Sequence, residues 1–122
     1  MKLVVVNNDT DFLTLMNDVL SERGWETVVC RESGGAHKLV KEQQPDAVIL
    51  DIRMEHPEAG WNVLELLQLD PETKDIPVLI CSAGAVELEA KAEWLSQHGI
   101  TSLLKPFDLD DLYRCVEKLV KA

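Results

Sequence analysis

Carboxylate, amide, hydroxyl and ammonium side chains stand at the ends of short apolar runs in this chain. Asp51 closes Ala47-Val48-Ile49-Leu50, and Ser82 closes Ile76-Pro77-Val78-Leu79-Ile80-Cys81. Lys105 follows Ile100 to Leu104, and Asn7-Asn8-Asp9 follows Leu3-Val4-Val5-Val6. A carboxylate at the end of a buried strand acts as a metal ligand, as a nucleophile or as a cap for the next turn. With a hydroxyl and an ammonium on the same edge, the set suits a phosphoryl group. A Mg²⁺ ion would bridge carboxylate and phosphate oxygens, Ser82 would donate a hydrogen bond, and Lys105 would neutralise charge. Asp51 as nucleophile would yield an acyl phosphate.

Taken singly, each residue has a plainer reading. Asp51 could cap a loop, Ser82 could be a turn hydroxyl, and Lys105 could be a solvated lysine before Pro106. Their coincidence at one sheet edge carries the chemical reading.

The elements that must position them alternate along the chain. Leu3 to Val6 is a β-branched apolar run and predicts a buried strand. Asn7 to Thr10 supplies helix caps, and Phe12, Leu13, Met16, Val19 and Leu20 recur at helical spacing until Gly24. Trp25 to Cys30 predicts a second strand. Ser33-Gly34-Gly35 opens a helix with Ala36, Leu39 and Val40 inward, which Pro45 stops. The Asp46 to Leu50 strand follows. The loop from Ile52 to Ala59 leads into a helix carrying Val63, Leu64 and Leu67. Ile76 to Cys81 is a fourth strand, with Pro77 tolerated near its start. Ala85 to Gln97 reads as one helix, inward through Leu88, Ala92 and Leu95. Ile100 to Leu104 is a fifth strand, and Asp108 to Lys121 a last helix with Leu109, Leu112, Val116, Leu119 and Val120 inward. Regular alternation of this kind implies an α/β fold: one doubly wound, five-stranded parallel sheet with helices on both faces and strand order 2-1-3-4-5. The switch point then lies between strands one and three, which sets Asn7, Asn8 and Asp9 beside Asp51.

Composition narrows the function. The 122 residues carry a net charge of −10, which disfavours direct binding of nucleic acid or anionic membrane. No stretch has transmembrane length. The three cysteines, Cys30, Cys81 and Cys115, are scattered and read as reduced thiols, which fits a cytoplasmic protein. Cys81 should face away from Ser82 as a core thiol. His37, His56 and His98 lack partners at metal spacing and read as exposed side chains; only His56 falls near the proposed edge. Trp25, Trp61 and Trp94 read as partly buried, and Glu87 to Glu93 as a solvated helix face.

Across its whole length the chain resembles the receiver domain of two-component response regulators. The resemblance rests on Met1 to Leu13, on Asp46-Ala47-Val48-Ile49-Leu50-Asp51-Ile52-Arg53-Met54, on Ile76 to Ala83, and on Leu104-Lys105-Pro106-Phe107. It implies a flavodoxin-like receiver fold over residues 1–122, with no effector domain in the chain, and a cis peptide bond before Pro106. It implies Asp51 as phosphoacceptor, Ser82 in contact with the phosphoryl group, and Lys105 paired with it. Mg²⁺ would be held by Asp51, by the backbone carbonyl of Arg53, by Asn8, and by Asn7 and Asp9 as further candidates. The implied donor is a histidine kinase or phosphotransfer protein. The implied output is a downstream effector docking on the face of the fourth helix, fifth strand and fifth helix.

Three departures stand out. The family's acidic pair after strand one is Asn7-Asn8, which predicts weak binding of a hard cation. Asp9 is one residue past the usual ligand and is a helix-cap candidate. The aromatic switch position on strand five holds Ser102. The loop Glu55-His56-Pro57-Glu58-Ala59-Gly60 is one residue longer than the common form, and Arg53 beside it is a candidate to offset missing metal charge. Two functions follow: a phospho-switch on Asp51, or a pseudo-receiver that binds partners independently of phosphorylation. No conventional enzyme activity is expected beyond self-catalysed transfer to Asp51 and autodephosphorylation. A third class, a small flavodoxin-like enzyme, is disfavoured because Asp9 lies where a flavin phosphate would sit and no G-x-G-x-x-G or P-loop occurs.

Overall fold

The structure is a computed structural model and describes residues 1–52, 54, 58–82 and 85–121. Its elements are β1 (Lys2–Val6), α1 (Thr10–Glu22), β2 (Glu26–Cys30), α2 (Ala36–Gln43), β3 (Ala47–Leu50), α3 (Ala59–Leu69), β4 (Val78–Ser82), α4 (Ala85–Ala90), α5 (Ala92–Gln97), β5 (Thr101–Leu104) and α6 (Leu109–Lys121). The strands form one sheet in the order β2-β1-β3-β4-β5, and every pairing is parallel. This is the predicted doubly wound order.

Alternation along each strand divides the core. Val4, Val6, Val48, Leu50, Val78 and Ile80 face one layer, where Ala36 and Val40 of α2, Val63, Leu64 and Leu67 of α3, and Leu95 of α5 cover them. Leu3, Val5, Ala47, Ile49, Leu79 and Cys81 face the other, under Leu13, Met16, Val19 and Leu20 of α1 and Leu112 and Val116 of α6. β3 is buried at all four positions, as a central strand covered on both faces must be. This explains why its apolar run lacks alternation. Gly24 and Gly99 sit at φ 78° and φ 67° just past α1 and α5, where left-handed backbone ends a helix.

Several expectations shift. The helix predicted over Ala85 to Gln97 is two, α4 and α5, with a break at Lys91. Ala92 consequently turns to solvent, leaving Leu95 as the buried anchor. In α6, Leu109 and Val120 are exposed. They lie in the first and last turns of α6, and Leu119 packs on the core beside the exposed Val120. The second, fourth and fifth strands begin at Glu26, Val78 and Thr101, slightly later than expected. His37 is not a free surface side chain: its Nε2 lies 2.8 Å from Oδ2 of Asp70, which also pairs with Lys41 and so ties α2 to the loop after α3. The backbone N–H of Glu72 is the main cause holding the Asp70 carboxyl below its ordinary range, with His37 and Lys41 adding to it. His98 is exposed and stacks on Trp94 at 4.2 Å between ring centres. The expectations for Arg53, for His56 and for the loop Glu55 to Pro57 lie outside the described residues. No described helix is long and apolar enough to cross a membrane.

Candidate functional site

Three strand ends converge at the carboxyl edge. The N–H of Asp51 donates to the carbonyl of Val6 at 3.0 Å, so the ladder between β1 and β3 sets Asp51 level with Asn7. Lys105 is held by its own main chain, its N–H donating to the carbonyl of Ser82 at 2.9 Å. The Lys105–Pro106 peptide bond is cis. Asn7 is 1% exposed, Asp51 8% and Ser82 0%. These three side chains are therefore buried at the sheet edge, while Lys105 is half-buried beside them.

Two groups grip one oxygen of Asp51. Nδ2 of Asn7 donates to Oδ2 at 3.1 Å, and Nζ of Lys105 lies 3.5 Å from the same atom. Asn7 is itself oriented: its Oδ1 accepts the N–H of Asp9 at 2.8 Å. That contact assigns the amide, because the oxygen must face the N–H and the nitrogen the carboxylate. Asp9 is the N-cap of α1, its Oδ1 accepting the N–H groups of Asp11 at 3.0 Å and Phe12 at 3.3 Å. Asn8 is exposed. Ser82 stands one residue beyond the level of Asp51, since Leu50 registers with Ile80. Its neighbour Cys81 faces the α1–α6 layer as a core thiol, and burial pushes that thiol up to about 12.

Mg²⁺ seeks several oxygens in octahedral array, with carboxylates to balance its charge. Among the described residues Asp51 is the one buried carboxylate, and it is paired with Lys105 at 3.5 Å; the carbonyl of Arg53 lies outside the described residues. The oxygen of Asn7 is engaged by Asp9 N–H, and the carboxylate of Asp9 by the start of α1.

Two residues of the site were not foreseen in these roles. Phe12, read only as a helix core position, brings its ring under the Lys105 ammonium, with Nζ 4.0 Å from the ring centre. Its place three residues past the Asp9 cap, in the first turn facing the sheet edge, was the available signal. Gly60, read only as leading into α3, donates its N–H to the carbonyl of Ile52 at 3.0 Å. A Cβ there would lie 2.3 Å from Cα of Ile52. Only glycine lets α3 press against the segment that carries Asp51.

Comparison with known proteins agrees with this geometry. The family model for the response regulator receiver domain matches residues 3–117. The transcriptional regulatory protein ZraR of Escherichia coli is 33% identical over 118 residues, which cover 95% of this chain and 25% of that protein. The chain thus spans about a quarter of that relative's length. Sporulation initiation phosphotransferase F of Bacillus subtilis is 27% identical over 118 residues, covering 96% of this chain and 91% of that protein. Among solved structures, the receiver domain of the sensor histidine kinase PA1611 from Pseudomonas aeruginosa has a magnesium ion coordinated in its active-site cleft. It matches with a TM-score of 0.84 at 20% identity, over 99% of this chain and 98% of that one. That likeness shows the shared flavodoxin-like fold.

Proposed function

The chain belongs to the response regulator receiver family, and on that premise we propose that it is a phosphoacceptor module of a two-component relay, with Asp51 as the acceptor. A carboxylate oxygen of Asp51 attacks phosphorus of a phosphohistidine on a histidine kinase or phosphotransfer protein. The new P–O bond forms as the P–N bond breaks, and the electron pair leaves with the histidine nitrogen. The product is an acyl phosphate. The observation that carries this reading is the Asp51–Lys105 pair at 3.5 Å. In this reading the Lys105 ammonium neutralises the charge that gathers on the phosphoryl oxygens of the product. Ser82, ending the adjoining strand, supplies a hydroxyl to the same group.

Mg²⁺ binding in this reading is weak, because Asn7 and Asn8 stand where the family's acidic pair would be. The output is altered docking of an effector on the face made by α4, α5, β5 and α6. Ser102 on β5 is exposed and brings no ring to that switch, so the shift is carried by Ser82, Lys105 and the backbone they hold.

The hydrogen bond from Asn7 to Asp51 favours a second reading. An amide already seated on the carboxylate, with no further buried carboxylate among the described residues, suits a pseudo-receiver that binds partners whether or not Asp51 is modified. Intact-mass measurement after incubation with acetyl phosphate and Mg²⁺ separates the two. The phospho-switch requires a single phosphoryl adduct on the wild type that Asp51→Asn abolishes. A folded wild type with no adduct at any Mg²⁺ concentration would establish the pseudo-receiver.

A further inference from the structure

The side chains around Asp51 form a closed circuit. Asp51 Oδ2 accepts from Asn7 Nδ2, Asn7 Oδ1 accepts from the N–H of Asp9, and Asp9 Oδ1 accepts from the N–H of Phe12. The ring of Phe12 lies against the Lys105 ammonium, which returns to Asp51 Oδ2. Four of these contacts are hydrogen bonds or an ion pair. The fifth is an aromatic face on a cation.

We propose that Phe12 is a positioning residue: its ring, fixed by the capped first turn of α1, holds the Lys105 ammonium at the Asp51 carboxylate. The inference rests on the phosphoacceptor reading above. A lysine side chain has several rotatable bonds, and a single ion pair at 3.5 Å leaves it wide latitude. A ring face 4.0 Å from Nζ removes much of that latitude without competing for Asp51, since the ring offers no hydrogen-bond acceptor in the plane of the carboxylate. Quadrupole attraction strengthens as the cation loses water. Here Lys105 retains about a quarter of its side-chain exposure, so the contact is partly desolvated. Phe12 also packs against the buried cluster to which α1 and α6 contribute, which keeps its ring in place.

The test is a double-mutant cycle on the rate of phosphoryl adduct formation from acetyl phosphate, using Phe12→Leu, Lys105→Ala and the double variant. Phe12→Tyr serves as the conservative control. Phe12→Leu is expected to slow the reaction about two- to fivefold and Phe12→Tyr to stay within about twofold of wild type. In the Lys105→Ala background Phe12→Leu should change nothing further, which a merely structural role of the ring would not produce. Equal losses in both backgrounds would overturn the proposal. Side-chain NMR supplies an independent reading. The ε-methylene protons of Lys105 should be shifted upfield by the ring in the wild type and return in Phe12→Leu. Their absence from upfield positions in the wild type would overturn the proposal too. If the wild type takes no phosphoryl group, the phosphoacceptor reading falls and the kinetic part of the proposal with it. The upfield shift then decides whether Phe12 holds Lys105 at Asp51.

Discussion

The amide of Asn7 donates to the carboxylate of Asp51 across 3.1 Å, a direct side-chain contact between the ends of β1 and β3. One consequence concerns charge. Among its partners Asp51 has an ammonium and an amide, and the ammonium offsets its charge.

Asn7→Asp should therefore invert the response to Mg²⁺. Two carboxylates would face each other, which destabilises the cation-free protein. Mg²⁺ would then stabilise the variant by mass action, by about 2.7 kcal/mol at a hundredfold excess over its dissociation constant. Thermal unfolding with and without Mg²⁺ checks this: the melting temperature of Asn7→Asp should rise with the ion and that of the wild type stay nearly constant. A wild type that responds as strongly as the variant would remove the charge argument.

Asp9 is the side-chain cap of α1. Asp9→Ala should cost about 1 kcal/mol in urea unfolding, and Asp9→Asn a few tenths at most, because an amide caps nearly as well. The Mg²⁺ response of Asn7→Asp should survive the addition of Asp9→Asn. Its loss in the double variant would reassign Asp9 as a ligand.

Gly60→Ala should lower stability by about 2–3 kcal/mol, because the new methyl meets main chain that has no rotamer to yield. The displaced segment includes Ile52, so adduct formation on Asp51 should slow as well. Chemical denaturation and the intact-mass assay measure the two effects separately.

Cys81 makes stability depend on alkaline pH. Desolvation is the main cause raising its thiol from 9.0 to about 12. The unfolded chain loses this proton near pH 9 while the folded chain keeps it, so the contribution is complete below pH 9 and declines as pH rises towards 12. Cys81→Ala should flatten the decline of unfolding free energy across that window. An unchanged slope would show that other groups govern it.

Much of the fold was readable from the sequence because its apolar runs are buried on both faces and bounded by polar breaks, as at Ala47 to Leu50. Strand order followed from alternation and handedness. The break at Lys91 was not readable: Ala85 to Gln97 is rich in helix formers, and only the demand that Leu95 reach the core shows the interruption. The exposure of Leu109 and Val120 was hidden for a related reason, since periodicity names a face and not which of its neighbouring apolar residues reaches the core, as Leu119 does. At the site, the residue types at the strand ends were visible, and so was the anomaly at Asn7-Asn8. The hydrogen bond of Asn7 to Asp51 and the ring under Lys105 depend on side-chain orientation across elements far apart in sequence, for which spacing carries no signal.

Lys105 is anchored twice, its backbone N–H on Ser82 of β4 and its ammonium on Asp51 beyond β3. It sits just past β5, which lies at the outer edge of the sheet. Fraying of that edge strand therefore strips Asp51 of its cation in the same motion. Amide hydrogen exchange along Thr101–Leu104 and events at the carboxylate become two views of one opening, and a group added to Asp51 that tightens its hold on Lys105 would slow exchange four residues back along the strand.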